Sequence, residues 1–151
     1  MVNFIKSNKF LFICICIIFI ASFLASIVQT SFGNVNIQLK KLETDNSQTL
    51  VYDLYKPKLA DSSNKVPFIV VVPGFQRSKE ALSNIAIELS RRGFAVALID
   101  PYAQGMSSSS TTRYAATEQG YGMFALVDYA YEGNFDFVDT NKIGSTGHSM
   151  G

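Results

Sequence analysis

Five residues, Gly147-His148-Ser149-Met150-Gly151, carry the spacing Gly-x-Ser-x-Gly. A serine hydroxyl is a weak nucleophile until a base takes its proton, and the base can act only if the oxygen stands at a fixed, exposed point. A sharp turn at the end of a strand provides that point, and glycines on either side leave room for crossing backbone. On this reading Ser149 attacks an acyl carbonyl, while Gly147 and Gly151 supply the clearance. The amide of Met150 points at the oxyanion that develops. The pentapeptide alone does not decide the matter, because with glycine and serine each about 7% of residues the pattern arises by chance in roughly one chain in twenty of this length. What precedes it must supply a strand and neighbouring loops.

The preceding chain alternates. Val35 to Leu42 places apolar residues at Val35, Ile37 and Leu39, and Leu50 to Tyr55 follows after a polar turn; both read as half-exposed, edge-like strands. Phe68 to Val72 is continuously apolar and mostly β-branched, as in a parallel strand covered on both faces. A helix follows, with Ser78 placed to cap it, a stripe at Leu82, Ile85, Ala86 and Leu89, Arg91 and Arg92 in its last turn and Gly93 beyond. Phe94 to Ile99 is a second buried strand. Tyr121 to Tyr131 reads as a second helix through Met123, Val127 and Tyr131, and Ile143 opens a third short strand. The expected class is α/β, a mostly parallel sheet with flanking helices. Ligands bind such sheets at the carboxyl ends of the strands, so three loops matter: 73–77, 100–113 and 147 onward.

Read together, these features resemble the amino-terminal part of an α/β-hydrolase over residues 35–151. The elbow sequence GHSMG is similar to that of lipases and esterases of this fold, and its approach DTNKIGSTGHSMG is similar to dienelactone-hydrolase-like and acyl-peptidase-like members. Pro73-Gly74-Phe75 stands where the family has His-Gly-x, which implies that the Phe75 amide joins that of Met150 in the oxyanion hole. Asp100 to Ser107 is similar to the family loop DxRGxGxS at Asp100, Gly105 and Ser107, and departs from it with Tyr102 for Arg and Ala103 for the first Gly. Gln76, Arg77, Tyr102 and Gln104 are candidates to line the substrate pocket. The serine run from Ser107 reads as a surface loop rather than a lid. Asp100 is expected to hydrogen-bond within its own loop.

The resemblance implies a serine hydrolase that cleaves an ester, thioester or amide of a small-molecule or lipid acyl substrate through an acyl-enzyme on Ser149. In this family the acid and the histidine follow the nucleophile. The one histidine, His148, adjoins the serine on a tight turn and projects differently from it, which suits packing rather than the role of base. Residues 1–151 are therefore expected to be an incomplete, inactive and weakly stable portion of the domain. Two other readings compete. One is an anchored, catalytically silent binding domain on the same fold. The other is an NAD(P)-dependent dehydrogenase of the short-chain type, because Thr146 to Gly151 fits the opening of TGxxxGxG. That loop normally follows the first strand of its domain, and no Lys-Ser/Thr pair follows the glycines to make a Walker A loop.

Residues 1–28 are of another kind. Lys6 and Lys9 precede Phe10 to Val28, nineteen residues without charge, Asn, Gln, Pro or Gly. As a helix the stretch would span roughly 28 Å, close to the hydrocarbon thickness of a bilayer. It reads as a single-pass anchor through residues 10–28, with the domain outside the cytoplasm by the position of the lysines. The alternative is a signal peptide cleaved near Ser31-Phe32-Gly33, leaving a secreted domain. Residues 29–34 are a linker. Cys14 and Cys16 both lie within the apolar run and point to different sides of a helix, so they suit bulk rather than a disulfide or a metal. No metal or organic cofactor is indicated. A net charge of +1 over 151 residues argues against a basic nucleic-acid face.

Overall fold

The computed structural model describes residues 8–44, 47–109 and 120–151. It begins with α1 (Lys9–Gln29), a helix with no buried residue. Its mean hydropathy of 3.0 makes it long and apolar enough to cross a membrane. Five strands follow: β1 (Val35–Glu43), β2 (Thr49–Pro57), β3 (Val66–Val72), β4 (Ala95–Ile99) and β5 (Val138–Gly147). Helix α2 (Ser83–Arg91) connects β3 to β4, and α3 (Met123–Tyr131) precedes β5. Spatially the strands run β1-β2-β4-β3-β5. β1 pairs antiparallel with β2, and β2 antiparallel with β4, whereas β3 lies parallel to both β4 and β5.

The two-residue period of the strands divides the core into two layers. Phe68, Val70 and Val72 face one side with Leu50, Tyr52, Ala97 and Ile99, under Leu126 and Ala130 of α3. Val71, Val96 and Leu98 face the other, under Ala86 of α2. Burying each large apolar side chain fully contributes about 1.5–3 kcal/mol, which is why β3 and β4 need no polar residue.

Helix α2 ends in a tight reversal. The Phe94 amide donates to the Leu89 carbonyl at 3.2 Å and the Gly93 amide to Ser90 at 3.1 Å, with Gly93 at φ +93°. This pairing satisfies the last carbonyls and requires a left-handed residue, which glycine takes without strain.

Several expectations need correction. β2 is not edge-like: it is largely buried between β1 and β4, and β1 alternates only from Val35 to Gln38, with Leu39 exposed against expectation. Ser78 does not cap α2, since a 3₁₀ turn, Lys79–Leu82, precedes the helix and no capping bond forms. In α2 the inward positions include Ala86 and Ser90, and Ile85 is exposed. In α3 Met123 and Val127 pack against the core as expected, beside the fully buried Leu126 and Ala130, but Tyr131 is 70% exposed. β5 begins at Val138, ahead of Ile143, with an irregularity opposite Val66 and Phe68.

Candidate functional site

The turn after β5 is built against the end of β3. Val72 pairs with Gly147, and one residue later the His148 amide donates to the Val72 carbonyl at 3.2 Å. The Gly151 amide then donates back to the His148 carbonyl at 3.1 Å, closing a four-residue turn with Ser149 exposed inside it. Ser149 has φ +61°, a left-handed conformation that L-residues adopt at a cost of about 1–2 kcal/mol. Strain of this kind persists only where the surroundings impose it. Both flanking glycines are required by contact. A Cβ on Gly147 would stand 2.6 Å from the Val72 carbonyl oxygen and overlap Gly151, and one on Gly151 would overlap that same oxygen.

The loop after β3 closes on this turn. Pro73 and Gly74 are buried, and Phe75, Gln76 and Arg77 are exposed. A Cβ on Gly74 would be 3.2 Å from the Ser149 Cβ, 3.2 Å from the His148 carbonyl oxygen and 3.4 Å from His148 Nδ1. Glycine therefore lets the two loops touch, and the next amide in the chain is that of Phe75. The Arg77 amide donates to the Gly74 carbonyl at 3.2 Å, and Gln76 sits at φ +55°. The Phe75 side chain is itself 61% exposed.

The loop after β4 is organised by Asp100, which is fully buried. Its Oδ1 accepts the Lys79 amide at 2.7 Å and its Oδ2 the Met106 amide at 3.0 Å. The Lys79 ammonium lies 3.4 Å from Oδ2 and 2.9 Å from Glu80 Oε1. Burial works against the charge on Lys79, but Glu80, Asp100 and Asp53 together outweigh it and hold its pKa above the usual value. Glu80 is held down to about 2, first by the Ser78 hydroxyl, then by Lys79 and by a backbone amide. Asp53 is raised chiefly by burial. This pair ties the β3–α2 segment to the β4 loop.

Gly105, at φ +54°, lies so close that a Cβ would overlap the Asp100 carboxyl, and Ala103 carries a left-handed φ of +62°. The Ser107 hydroxyl donates to the Asp100 carbonyl at 2.6 Å and accepts the Val51 amide at 2.8 Å, and the Ser108 hydroxyl accepts the Thr49 amide at 2.9 Å. The start of the serine run thus fastens this loop to β2 rather than standing free; its continuation at 110–112 lies outside the described residues.

Of the residues singled out from the sequence, Ser149, Met150, Gly147, Gly151 and Phe75 gather at the ends of β3 and β5. Gln76 and Arg77 are exposed beside them. Tyr102 is placed otherwise: it is 3% exposed, packs in the core near Gly122 and donates its hydroxyl to Thr44 Oγ1 at 3.5 Å. Gln104 keeps both polar ends of its amide buried and without a partner among the described residues. Lys79 went unnoticed in the sequence, and Ser108 was read only as part of a surface serine run. Gly74 was read only as the middle of Pro73-Gly74-Phe75, without its contact to the serine turn. Among the described residues no group of three or more His, Cys, Asp or Glu could hold a metal.

No protein-family model matches the sequence, and no curated protein matches it. Solved structures do. The esterase Pf2001 of Pyrococcus furiosus superposes with a TM-score of 0.62 at 18% identity, over 78% of this chain and 44% of that one. The α/β hydrolase GrgF from Penicillium sp. sh18 gives 0.60 at 22%, over 74% and 37%. Est1E from Butyrivibrio proteoclasticus, solved with ferulic acid bound, gives 0.57 at 27%, over 74% and 43%. The chain shares the α/β-hydrolase fold with these structures. It spans less than half the length of each of these three structures. In hydrolase terms, the turn bearing Ser149 follows the fifth strand in sequence, which is not where a dinucleotide loop opening its domain would be.

Proposed function

We propose that the chain is the nucleophile-bearing part of a serine hydrolase that cleaves a carboxylic ester or thioester. The observation that carries this reading is the left-handed Ser149, exposed on a turn whose two glycines meet Val72 and whose serine stands against Gly74. In the first step the Ser149 Oγ–H bond breaks as a base takes the proton, and Oγ bonds to the acyl carbon. The carbonyl oxygen becomes an oxyanion, for which the Phe75 and Met150 amides are the nearest backbone donors by chain position. Collapse expels the alcohol or thiol with a proton, leaving an acyl-serine that water then hydrolyses.

The reading needs a histidine and a carboxylate aimed at Ser149. His148 is the one histidine of residues 1–151, and its Nδ1 lies 3.4 Å from where a Cβ on Gly74 would stand. The base is therefore proposed to come from outside these residues. Ester chemistry is also that of one similar fold, the esterase Pf2001. We further read α1 as a single-pass anchor that holds the domain outside the cytoplasm.

The test is a fluorophosphonate probe applied to the protein expressed from its complete reading frame. The expected result is one phosphonylated peptide, containing Ser149, that vanishes in Ser149→Ala. Absence of labelling would show a silent binding domain on the same fold.

A further inference from the structure

The strand directions separate the molecule into two ends. Val72 and Gly147 lie at one, with Ser149; Val35, Pro57, Ala95 and Val66 lie at the other. β3 has seven residues, so the ends are roughly 20 Å apart. Helix α1 joins the end remote from Ser149. Only residues 30–34 separate it from β1, and they are folded: the Phe32 amide donates to the Ile27 carbonyl at 2.8 Å and the Val35 amide to Thr30 at 3.0 Å. Arg91, at the end of α2, donates from its guanidinium to the Val28 carbonyl at 2.8 Å, which places it level with the last turn of α1. Even fully extended, so short a tether could not lift this end more than about 20 Å from the helix terminus.

At that junction lies a cleft of about 580 Å³, walled in part by Ser31, Asn34, Lys58, Asn64 and Arg91 above an apolar floor that includes Val35 and Val66. The two charged residues in its wall, Lys58 and Arg91, are both cations. Two large apolar side chains project at this end, Phe32 at 81% exposure and Leu59 at 78%. Apolar side chains beside cations at the mouth of an apolar helix match a bilayer interface, where the former enter the acyl boundary and the latter meet anionic headgroups.

We propose that this basal end is a bilayer-facing surface whose cleft takes an anionic phospholipid headgroup, holding Ser149 at the far, aqueous end. It rests on the reading of α1 as a membrane span. The headgroup phosphate bonds Lys58 and competes with Glu88, 3.9 Å from Arg91 Nη1, for the Arg91 guanidinium, while Phe32 and Leu59 flank it in the interface. The acyl substrate then reaches Ser149 from water, not from the anchoring bilayer.

The test uses the full chain in vesicles of equal phosphatidylcholine and phosphatidylglycerol, with Cys14→Ser and Cys16→Ser. An environment-sensitive fluorophore is attached through Leu59→Cys, Met106→Cys or Phe19→Cys. The probe at 59 should shift to the blue and be quenched more by brominated phosphatidylglycerol than by brominated phosphatidylcholine, with Lys58→Ser cutting that preference roughly fivefold. The probe at 106, on the Ser149 end, should remain water-like. A probe at 19 quenched by lipid while that at 59 stays in water overturns the docking and leaves the anchor standing. Quenching at 59 without preference for the anionic lipid overturns the headgroup site, and a probe at 19 in water overturns both readings.

Discussion

Gly74 faces Ser149 across the ends of β3 and β5, so closely that a Cβ at 74 would stand 3.2 Å from the serine Cβ. Any side chain at 74 has to push the two loops apart. Gly74→Ala asks the neighbouring turn to give by only a fraction of an ångström and is expected to lower the rate of Ser149 phosphonylation by up to about tenfold. Thermal unfolding should move little by comparison. An unchanged labelling rate would show that the two loops do not cooperate.

Ser149 holds a conformation that glycine adopts freely. Ser149→Gly should therefore raise stability by about 1 kcal/mol in urea unfolding while removing the nucleophile. Ser149→Ala removes the same hydroxyl but keeps the strain, so it should leave stability nearly unchanged. Equal stability of the two variants would mean that the turn stores no strain.

Lys79 and Asp100 meet in the interior at 3.4 Å, both almost wholly buried. Lys79→Met leaves a buried carboxylate without its cation and should cost about 3 kcal/mol. Asp100→Asn should cost a similar amount, and a double-mutant cycle should return a coupling of about 2 kcal/mol. Additive losses would separate the pair.

Glu80 contributes to the pH dependence, as do Asp61 and Asp139, whose pKa values are also lowered by hydrogen bonds. The folded pKa of Glu80, about 2, lies below its ordinary value of 4.5, so its contribution is present above pH 4.5 and is lost as pH falls through 2. Wild type should lose more stability across that window than Glu80→Gln. Because the carboxylate is 65% exposed, added salt should shrink the difference. Parallel acid-unfolding curves for the two proteins would contradict it.

The parts that were legible in the sequence share a physical cause. β3 and β4 are covered on both faces, which forces unbroken apolar runs, and the elbow glycines are forced by backbone contact with Val72. The start of β5 was not legible, because Asp139, Thr140 and Asn141 lie in a strand at one edge of the described sheet and carry no apolar signal. Ser78 looked like a helix cap, but its hydroxyl is engaged by Glu80 and a 3₁₀ turn intervenes. Lys79 and Asp100 are 21 residues apart and meet only through the sheet, beyond the reach of any local spacing rule. Tyr102 was read as pocket lining from its place in a loop, yet the pull of the core on an aromatic ring is stronger.

The most direct measurement is an acid-quenched reaction of the complete protein with an activated ester, followed by peptide mass mapping. The account predicts one acyl group per chain, on the peptide containing Ser149, formed in a burst and absent from Ser149→Ala. Steady turnover with no acylated Ser149, or with Ser149→Ala as active as wild type, would contradict it.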